Sequence, residues 1–248
     1  MKALITGASS GIGLEMARYL SSLGYDLIVV SRNKKKLEEL QDELPTKVKA
    51  IVMDLSVESN VKSLYVLCKN ENIDVLVNNA GFGDFGEFIN TDLNKELEMI
   101  DLNIKSVHIL TKMFLKDMKK RDSGYILNVA SSAAFAPGPL MATYYSTKSY
   151  VYKLTEAISY ELKKDKSNVH VSVLCPGPVK TNFNEVAGVR FKDKGLSSEY
   201  VAKYAIDKLL KGKLVIIPGF KMKLYKLLSN LVSDKFMMGI IYNYQEKK

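Results

Sequence analysis

The sequence predicts an α/β fold in which helices cover both faces of one parallel sheet. Short apolar runs alternate with amphipathic runs along most of the chain, and a glycine-rich segment, TGASSGIG (6–13), follows the first apolar run. Such alternation is typical of repeated strand–helix units. Of the 248 residues, 47% are hydrophobic, so the chain can bury a large core.

Seven apolar runs are predicted to be strands. They cover residues 3–6, 26–31, 47–54, 73–79, 124–131, 168–176 and 213–218. Because these runs are continuous rather than alternating, we expect strands buried on both faces of the sheet. Helix-like runs between them give right-handed crossovers and a single Rossmann-like doubly wound parallel sheet. We expect residues 1–218 to form one domain and residues 219–248 to add a C-terminal amphipathic helical tail to it.

The chain is basic, with a net charge of +9 and an isoelectric point near 9.2. Only four of its 36 basic residues are arginines, at positions 18, 32, 121 and 190. Lysine is a strongly hydrated point charge, whereas arginine is the usual residue for binding phosphates and bases. We therefore interpret most lysines as a solvated surface. Because no nucleic-acid-binding motif is present, we expect no nucleic-acid partner.

Cysteine and histidine are scarce. Cys68, Cys175, His108 and His170 are the only ones in the sequence, and we expect free thiols and no metal site. The first apolar run is too short for the core of a signal peptide, and no stretch approaches the roughly 18 apolar residues of a membrane span. We expect a cytoplasmic protein.

The glycine-rich segment places Gly7, Gly11 and Gly13 between the first strand and the first helix. Glycine lets the backbone turn sharply and approach a ligand closely. The start of a helix also offers free N–H groups to a pyrophosphate. In this strand–loop–helix setting, the segment predicts a dinucleotide site.

The end of the second strand indicates which dinucleotide binds. NAD sites often place a carboxylate there, but this chain reads VVSRN (29–33), with Arg32 and no acid. A guanidinium can pair with the 2′-phosphate of NADP, with help from Ser9, Ser10 or Lys34. The sequence therefore favours NADP over NAD.

A phenol and an amine stand one helical turn apart in YYSTK (144–148). An ammonium beside a phenol favours the phenolate, so the pair suits proton transfer. Four residues advance about 400° along a helix and three about 300°, so Tyr144 and Tyr145 both lie within reach of Lys148. Geometry alone leaves the choice between the two tyrosines open.

Residues from about 2 to 217 resemble a short-chain dehydrogenase/reductase of the single-domain type. TGASSGIG resembles the family's nucleotide loop, and MDLS (53–56), NNAG (78–81) and PGPVKT (176–181) resemble its other cofactor segments. The resemblance implies that Asp54 lies beside the adenine ring. Together with the glycine pattern and Arg32, it predicts these cofactor-binding residues: Gly7, Ser9, Ser10, Gly11, Ile12, Gly13, Arg32, Asp54, Leu55, Asn78, Ala80, Gly81, Tyr144, Lys148, Pro176, Gly177, Val179 and Thr181.

The same resemblance assigns Asn103, Ser131, Tyr144 and Lys148 as catalytic residues. It selects Tyr144 over Tyr145 as the general acid in ketone reduction, with a pKa that falls beside Lys148 and the oxidised nicotinamide. It gives Lys148 a hydrogen bond to the nicotinamide ribose and Ser131 one to the substrate oxygen. Asn103 would hold a water that links Lys148 to solvent. The implied activity is hydride transfer between NADP(H) and a ketone or secondary alcohol.

Three loops are expected to form the substrate pocket: 81–88, 136–143 and 182–195. The apolar candidates for its lining are Phe82, Phe85, Phe135, Leu140, Met141 and Phe183. Such a lining predicts a lipophilic or acyl-type substrate. Arg190 and Lys192 could meet an acidic group on the substrate, although solvated loop charges are the simpler interpretation.

The tail has the apolar spacing of an amphipathic helix. The residues that follow this spacing are Leu224, Leu227, Leu228, Leu231 and Val232, and Lys221, Lys223, Lys226 and Lys235 flank them. Our first expectation is that this stripe packs against the body of the protein or a sister subunit. Contact with an anionic membrane surface is the second.

Three other functions stay open. A peripheral membrane protein would depend mainly on the basic C-terminal helix. A non-catalytic dinucleotide sensor or scaffold would keep the fold, but it would not need the four residues of the proton-transfer set, Asn103, Ser131, Tyr144 and Lys148. An epimerase or dehydratase on the same fold would leave no net change in the cofactor. The resemblance also implies a homo-oligomer, a dimer or tetramer, because relatives usually pair through long helices such as the one that carries YYSTK.

Overall fold

The fold is built on one parallel sheet. A computed structural model describes residues 1–183, 187–188 and 195–246. The strands are β1 (Lys2–Thr6), β2 (Asp26–Ser31), β3 (Val48–Val52), β4 (Val75–Asn78), β5 (Gly124–Val129), β6 (Val169–Leu174), β7 (Val179–Lys180), β8 (Leu196–Ser197) and β9 (Val215–Ile216). Seven of them form the sheet in the order β3-β2-β1-β4-β5-β6-β9, and β7 pairs with β8 separately.

Helices connect the strands and cover both faces of the sheet. They are α1 (Gly11–Ser22), α2 (Lys34–Glu43), α3 (Glu58–Cys68), α4 (Leu93–Ile100), α5 (Val107–Arg121), α6 (Ala142–Lys164), α7 (Ser198–Leu209), α8 (Phe220–Ser229) and α9 (Asp234–Glu246). A π-helical turn (Asp101–Ser106) joins α4 to α5, and a 3₁₀-helix (Ser132–Phe135) follows β5. The predicted doubly wound sheet is confirmed.

The central strand β1 shows why the apolar runs in the sequence are continuous. Ala3 and Ile5 pack with α1, α2 and α7 on one face of the sheet, while Leu4 packs with α3 and α5 on the other. Successive side chains of a strand point to opposite faces, so the central positions of a strand between two helical layers are apolar on both faces. Each fully buried side chain of this size stabilises the fold by about 1.5 to 3 kcal/mol.

The tail forms two helices rather than the single helix predicted. A turn at residues 230–233 separates α8 from α9. The prediction that the leucine stripe packs against the body is wrong, because four of its members are exposed: Leu224, Leu227, Leu228 and Leu231. Val232 packs against a small apolar cluster of Ala136 from the body and Met237 and Ile241 from α9. Coverage of the stripe by a sister subunit stays a prediction.

The last helix packs on the protein body. In α9, Met237, Ile241 and Gln245 are buried, and Met237 and Ile241 contact Ala136 in a small apolar cluster. Their spacing of four residues puts them on one side of the helix. Among the residues described, no helix is both long and apolar enough to cross a bilayer.

Candidate active site

A cavity of about 750 Å³ lies at the carboxyl ends of the sheet strands. Its walls come from the segments that follow β1 to β6 in turn, and α8 and α9 add further side chains. In doubly wound sheets, ligands bind at this edge beside the point where the strand order reverses. Here that point lies between β1 and β4. The cavity is therefore the candidate active site.

The glycine-rich segment forms one wall of the cavity. Gly7 and Gly11 have φ angles of +66° and +57°, a left-handed conformation that glycine adopts without strain. A Cβ on Gly11 would lie 3.0 Å from the Thr181 side chain, so a side chain there would crowd the two segments.

The start of α1 fits an anionic ligand. Its first turn contains Gly11, Ile12, Gly13 and Leu14 and no acidic residue. The side chain of Ser10 caps none of the backbone N–H groups in the described part of the chain. Free N–H groups and the positive end of the helix dipole therefore face the cavity. This arrangement fits the pyrophosphate of a dinucleotide, which the residues of this wall would hold.

Gly13 lies behind the cavity wall rather than in it. A Cβ on Gly13 would lie 2.4 Å from the Asn79 side chain and 2.4 Å from the Gly7 carbonyl oxygen. The close packing shows that Gly13 lets α1 lie tightly on the loop, and its contact with the cofactor stays a prediction.

We expect Gly13→Ala to lower the free energy of unfolding by about 1 to 3 kcal/mol. The added methyl group overlaps backbone, which cannot yield as a flexible side chain can. Thermal unfolding of the purified variant measures the loss. Gly239→Ala on α9 is the matched control, because apart from its own helix backbone and chain neighbours no described atom lies within 4 Å of the position of its Cβ. A melting temperature for Gly13→Ala equal to that of the wild type would contradict the packing role.

Asn78 also lies behind the wall. Its Nδ2 atom donates hydrogen bonds to Thr111 Oγ1 at 3.0 Å and to Asn128 Oδ1 at 2.8 Å. It therefore ties β4 to α5 and β5, and its direct contact with the cofactor stays a prediction. The neighbouring Asn79, which sequence reasoning did not single out, lines the cavity and donates to the carbonyl oxygens of Thr6 and Gly7.

Arg32 lies in the cavity wall at the end of β2. Its Nη1 atom lies 3.0 Å from Glu98 Oε1 and 3.6 Å from Asp54 Oδ2, and its side chain is 61% exposed. Burial tends to raise the pKa of Asp54, but hydrogen bonds from Ser56 and the charge of Arg32 lower the pKa overall. Asp54 is therefore ionised at neutral pH. An anion that binds Arg32 has to compete with two carboxylates.

Ser131 and Tyr144 meet in another part of the wall. The Ser131 Oγ atom accepts a hydrogen bond from the Ala133 backbone N–H at 3.1 Å, which leaves its own proton free to donate. Burial raises the pKa of Tyr144 to about 12, although the nearby Ser131 hydroxyl lowers it. Tyr144 is therefore a neutral phenol at neutral pH. The expected fall of its pKa is not produced by the protein groups alone.

Lys148 is a buried amine. Its Nζ atom donates to the Val129 carbonyl oxygen at 3.0 Å and lies 5.8 Å from the centre of the Tyr144 ring. Burial lowers the pKa of Lys148 to about 8, with a smaller opposite effect from Cys175. An amine with this pKa can gain and lose a proton near neutral pH, as a proton relay requires.

Asn103 lies in the π-helical turn, behind the cavity. Its Nδ2 atom donates to the Phe82 carbonyl oxygen at 2.9 Å and to Thr147 Oγ1 at 3.1 Å, and its Oδ1 accepts from the Phe82 N–H at 3.1 Å. A Cβ on Gly81 would lie 2.7 Å from Asn103 Oδ1 and 3.4 Å from Lys148 Nζ. Both groups therefore approach the same point, while the water between them stays a prediction.

Tyr145 has different neighbours from Tyr144. Its hydroxyl accepts a hydrogen bond from Gln245 Nε2 at 3.1 Å. Burial raises the pKa of Tyr145 above its ordinary value. The two tyrosines that the sequence could not separate thus differ in position: Tyr144 lies beside Ser131 and Lys148, and Tyr145 binds the last helix.

Half of the predicted substrate lining is found in the cavity. Phe82, Met141 and Phe183 line it. The other three do not line it among the described residues: Phe85, Phe135 and Leu140. Phe85 packs in the apolar cluster that also contains Phe82, Met141 and Phe183, and Phe135 packs in a separate cluster. Arg190 and Lys192 lie outside the described residues.

Five lining residues come from the tail and were missed from the sequence. They are Met222, Tyr225, Ile240, Ile241 and Tyr244. Sequence reasoning followed the leucine stripe of α8, whereas Met222 and Tyr225 lie on the opposite side of that helix. Two large apolar side chains three residues apart on the second face were the available signal.

Fold and cavity together define a Rossmann-like α/β protein in which one cavity joins a glycine-rich loop to a buried tyrosine–lysine pair. Residues 1–189 match the family model described as short chain dehydrogenase. The chain belongs to this family, as the motifs predicted.

Relatives with curated names include two bacterial proteins. An uncharacterised oxidoreductase of Staphylococcus epidermidis is 34% identical over 185 residues, which are 74% of this chain and 80% of that protein. A 3-oxoacyl-[acyl-carrier-protein] reductase of Rickettsia prowazekii is 32% identical over 183 residues, 74% of each chain.

Solved structures of the family superpose on most of the chain. A short-chain dehydrogenase from Sphingobium yanoikuyae in complex with NADPH has a TM-score of 0.84 and 26% identity, over 93% of this chain and 92% of that one. A family member from Burkholderia phymatum in complex with NAD has a TM-score of 0.83 over 92% of each chain, and at 23% identity it matches in fold.

Proposed function

We propose that the protein is an NADP(H)-dependent oxidoreductase that interconverts a ketone and a secondary alcohol. The observation that carries the proposal is the meeting of Ser131, Tyr144 and Lys148 in the wall of the cavity that contains the glycine-rich loop. A sensor or scaffold would need the loop but not this proton-transfer set.

Each of these residues has a role in the proposed reaction. The bound cofactor supplies the hydride. Ser131 donates a hydrogen bond to the substrate oxygen, and the neutral phenol of Tyr144 donates the proton that converts this oxygen to a hydroxyl. Lys148 then returns a proton toward Tyr144, and Asn103 holds the water that connects Lys148 to solvent.

The cofactor would lie along the lining segments. The pyrophosphate would meet Gly7, Ser9, Ser10, Gly11 and Ile12, and the adenine would lie by Asp54 and Leu55. The nicotinamide half would contact Ala80, Gly81, Pro176, Gly177, Val179 and Thr181. All of these residues line the cavity, which supports the proposal.

NADP is the proposed cofactor because Arg32 is a cation in the cavity wall at the end of β2, where NAD sites often have a carboxylate. We expect Arg32→Ala to weaken NADPH binding about tenfold and to leave NADH binding nearly unchanged. A charge-assisted hydrogen bond contributes about 1.5 to 3 kcal/mol. Arg32 is exposed, and the 2′-phosphate must compete with Glu98 for it. We therefore expect a contribution at the lower end of this range. Fluorescence titration with each cofactor measures it.

Two further variants make this prediction sharper. Glu98→Gln removes a competing carboxylate, so it should strengthen NADPH binding and leave NADH binding unchanged. Arg18→Ala is the control, because Arg18 pairs with Glu43 and Glu15 and does not line the cavity. Equal losses of NADPH and NADH affinity in Arg32→Ala would refute recognition of the 2′-phosphate.

A lipophilic or acyl-type substrate is proposed from the cavity lining. Four apolar side chains line the cavity, namely Phe82, Met141, Phe183 and Ile241. Apolar walls suit an apolar ligand such as a long acyl chain. The name of the Rickettsia relative, a 3-oxoacyl-[acyl-carrier-protein] reductase, supports the acyl alternative.

The remaining proposals concern the whole protein. Residues 1–218 are proposed as the catalytic domain and 219–248 as its helical extension, because both contribute to one cavity. A homo-oligomer is proposed from the family. A cytoplasmic location is proposed because Cys68 and Cys175 are buried and free, which suits a reducing compartment.

Turnover tests the central proposal. The loss of NADPH absorbance should follow the addition of apolar ketones of graded size, with NADH run in parallel. Binding of NADPH without turnover of any ketone would favour the sensor.

A further inference from the structure

Helix α8 has two different faces. Each residue advances about 100° around a helix, so Met222, Tyr225 and Lys226 lie on one side. Met222 and Tyr225 line the cavity, and Lys226 donates a hydrogen bond to the Tyr152 hydroxyl. This side holds the helix on the protein body.

The opposite side is apolar and exposed. We call it the leucine face, and it consists of Phe220, Leu224, Leu227 and Leu228, with Leu231 in the turn that follows. The exposed fractions of these five side chains range from 44% to 79%. Phe236 and Ile240 of α9 are also at least half exposed. A cluster of large apolar side chains on a surface usually marks an interaction site.

Lysines border the leucine face on both sides. At about 100° per residue, Lys221 falls next to Leu228 and Lys223 next to Leu227. From Lys208 to Ser233 the chain contains no acidic residue and six lysines, namely Lys208, Lys211, Lys213, Lys221, Lys223 and Lys226. Within the described ranges, none of the six forms an ion pair. Lys226 faces the protein body, so the positive charges available to an anionic partner beside the leucine face are those of the exposed Lys221 and Lys223.

We propose that the leucine face of α8 docks on the surface of an anionic phospholipid bilayer. An exposed apolar stripe bordered by lysines is the arrangement that inserts at the boundary between headgroups and acyl chains. The charge pattern disfavours a second copy of the chain as the occupant. Two-fold pairing of leucine faces would bring Lys221 and Lys223 of both copies together, and like charges at an interface oppose association.

Docking would bring the cavity close to the membrane. The leucine face and the cavity-lining face belong to one helix, whose diameter is about 10 Å. A substrate dissolved in the bilayer would then lie near Met222 and Tyr225. This consequence rests on the proposed function, whereas the docking itself does not.

Co-sedimentation of the full chain with phospholipid vesicles tests the proposal. We expect binding to phosphatidylcholine vesicles that contain phosphatidylglycerol, at least tenfold weaker binding to phosphatidylcholine alone, and weaker binding at higher salt. Lys221→Gln with Lys223→Gln should reduce binding about 25-fold, at about fivefold per lysine. Leu227→Ser with Leu228→Ser should reduce it more than tenfold, because the insertion of both side chains is lost.

A matched pair on another helix controls for general surface hydrophobicity. Val66 and Leu67 on α3 are exposed to a similar degree, and their replacement by serine should leave vesicle binding unchanged. Failure of the wild-type protein to bind anionic vesicles, or equal binding to both compositions, would overturn the proposal. Light scattering could also overturn it. That result would be a wild-type dimer that does not bind vesicles, together with a monomeric Leu227→Ser, Leu228→Ser variant. NADPH turnover of the same variants shows independently whether the proposed function stands.

Discussion

Tyr144→Phe is expected to lower kcat for ketone reduction by about 10² to 10⁴-fold and to change NADPH binding far less. Phenylalanine keeps the ring, whose centre lies 5.4 Å from that of Phe183, but it has no proton to donate. Because the pKa of Tyr144 is raised to about 12, the phenol keeps its proton throughout the neutral range. Single-turnover rates with saturating NADPH measure the loss directly.

Tyr145→Phe is the matched control for this prediction. It removes the same atom from the adjacent residue and breaks only the hydrogen bond from Gln245, so most of the turnover should remain. If both variants lost activity equally, the defect would lie in the packing of α6. If Tyr144→Phe kept full activity, the proton-donor role would be wrong.

The sheet could be predicted because a buried strand needs apolar side chains at successive positions, and this need is visible in a short stretch of sequence. A strand such as β1, with Leu4 facing one helical layer and Ile5 the other, has to be apolar at successive positions, and the printed sequence shows this. The positions of Ser131, Tyr144 and Lys148 followed from motifs. All three residues follow the carboxyl end of β5, at the edge of a doubly wound sheet where ligands bind, so their proximity in the cavity wall is consistent with the fold.

The properties that depend on burial by distant segments were not predictable. The fall expected for the pKa of Tyr144 rested on the Lys148 charge, but removal of both groups from water raises the pKa of the phenol and lowers that of the amine. The tail was misjudged for a related reason. Both sides of α8 carry apolar residues, and the sequence does not say which side meets the body.

Lys148→Met is expected to remove a free-energy penalty for folding that changes with pH. The pKa of Lys148 is about 8 in the folded protein and about 10.4 in an unfolded chain. Between these values the unfolded state binds more protons, so the stability that depends on Lys148 rises with pH. Below pH 8 the folded protein must bury an ammonium, and the full penalty of about 3 kcal/mol applies. Above about pH 10.4 the penalty is relieved.

Urea unfolding of both proteins across this pH range tests the expectation. Methionine also leaves the Val129 carbonyl oxygen without the Lys148 donor, which costs about 1 to 3 kcal/mol at every pH. The signal is therefore the change in the stability difference between variant and wild type, which should shift by about 3 kcal/mol against the variant from pH 7 to above pH 10. Lys69→Met replaces an exposed lysine and should show a constant difference. A constant difference for Lys148→Met as well would mean that its amine is not desolvated, and the proposed proton relay would lose its physical basis.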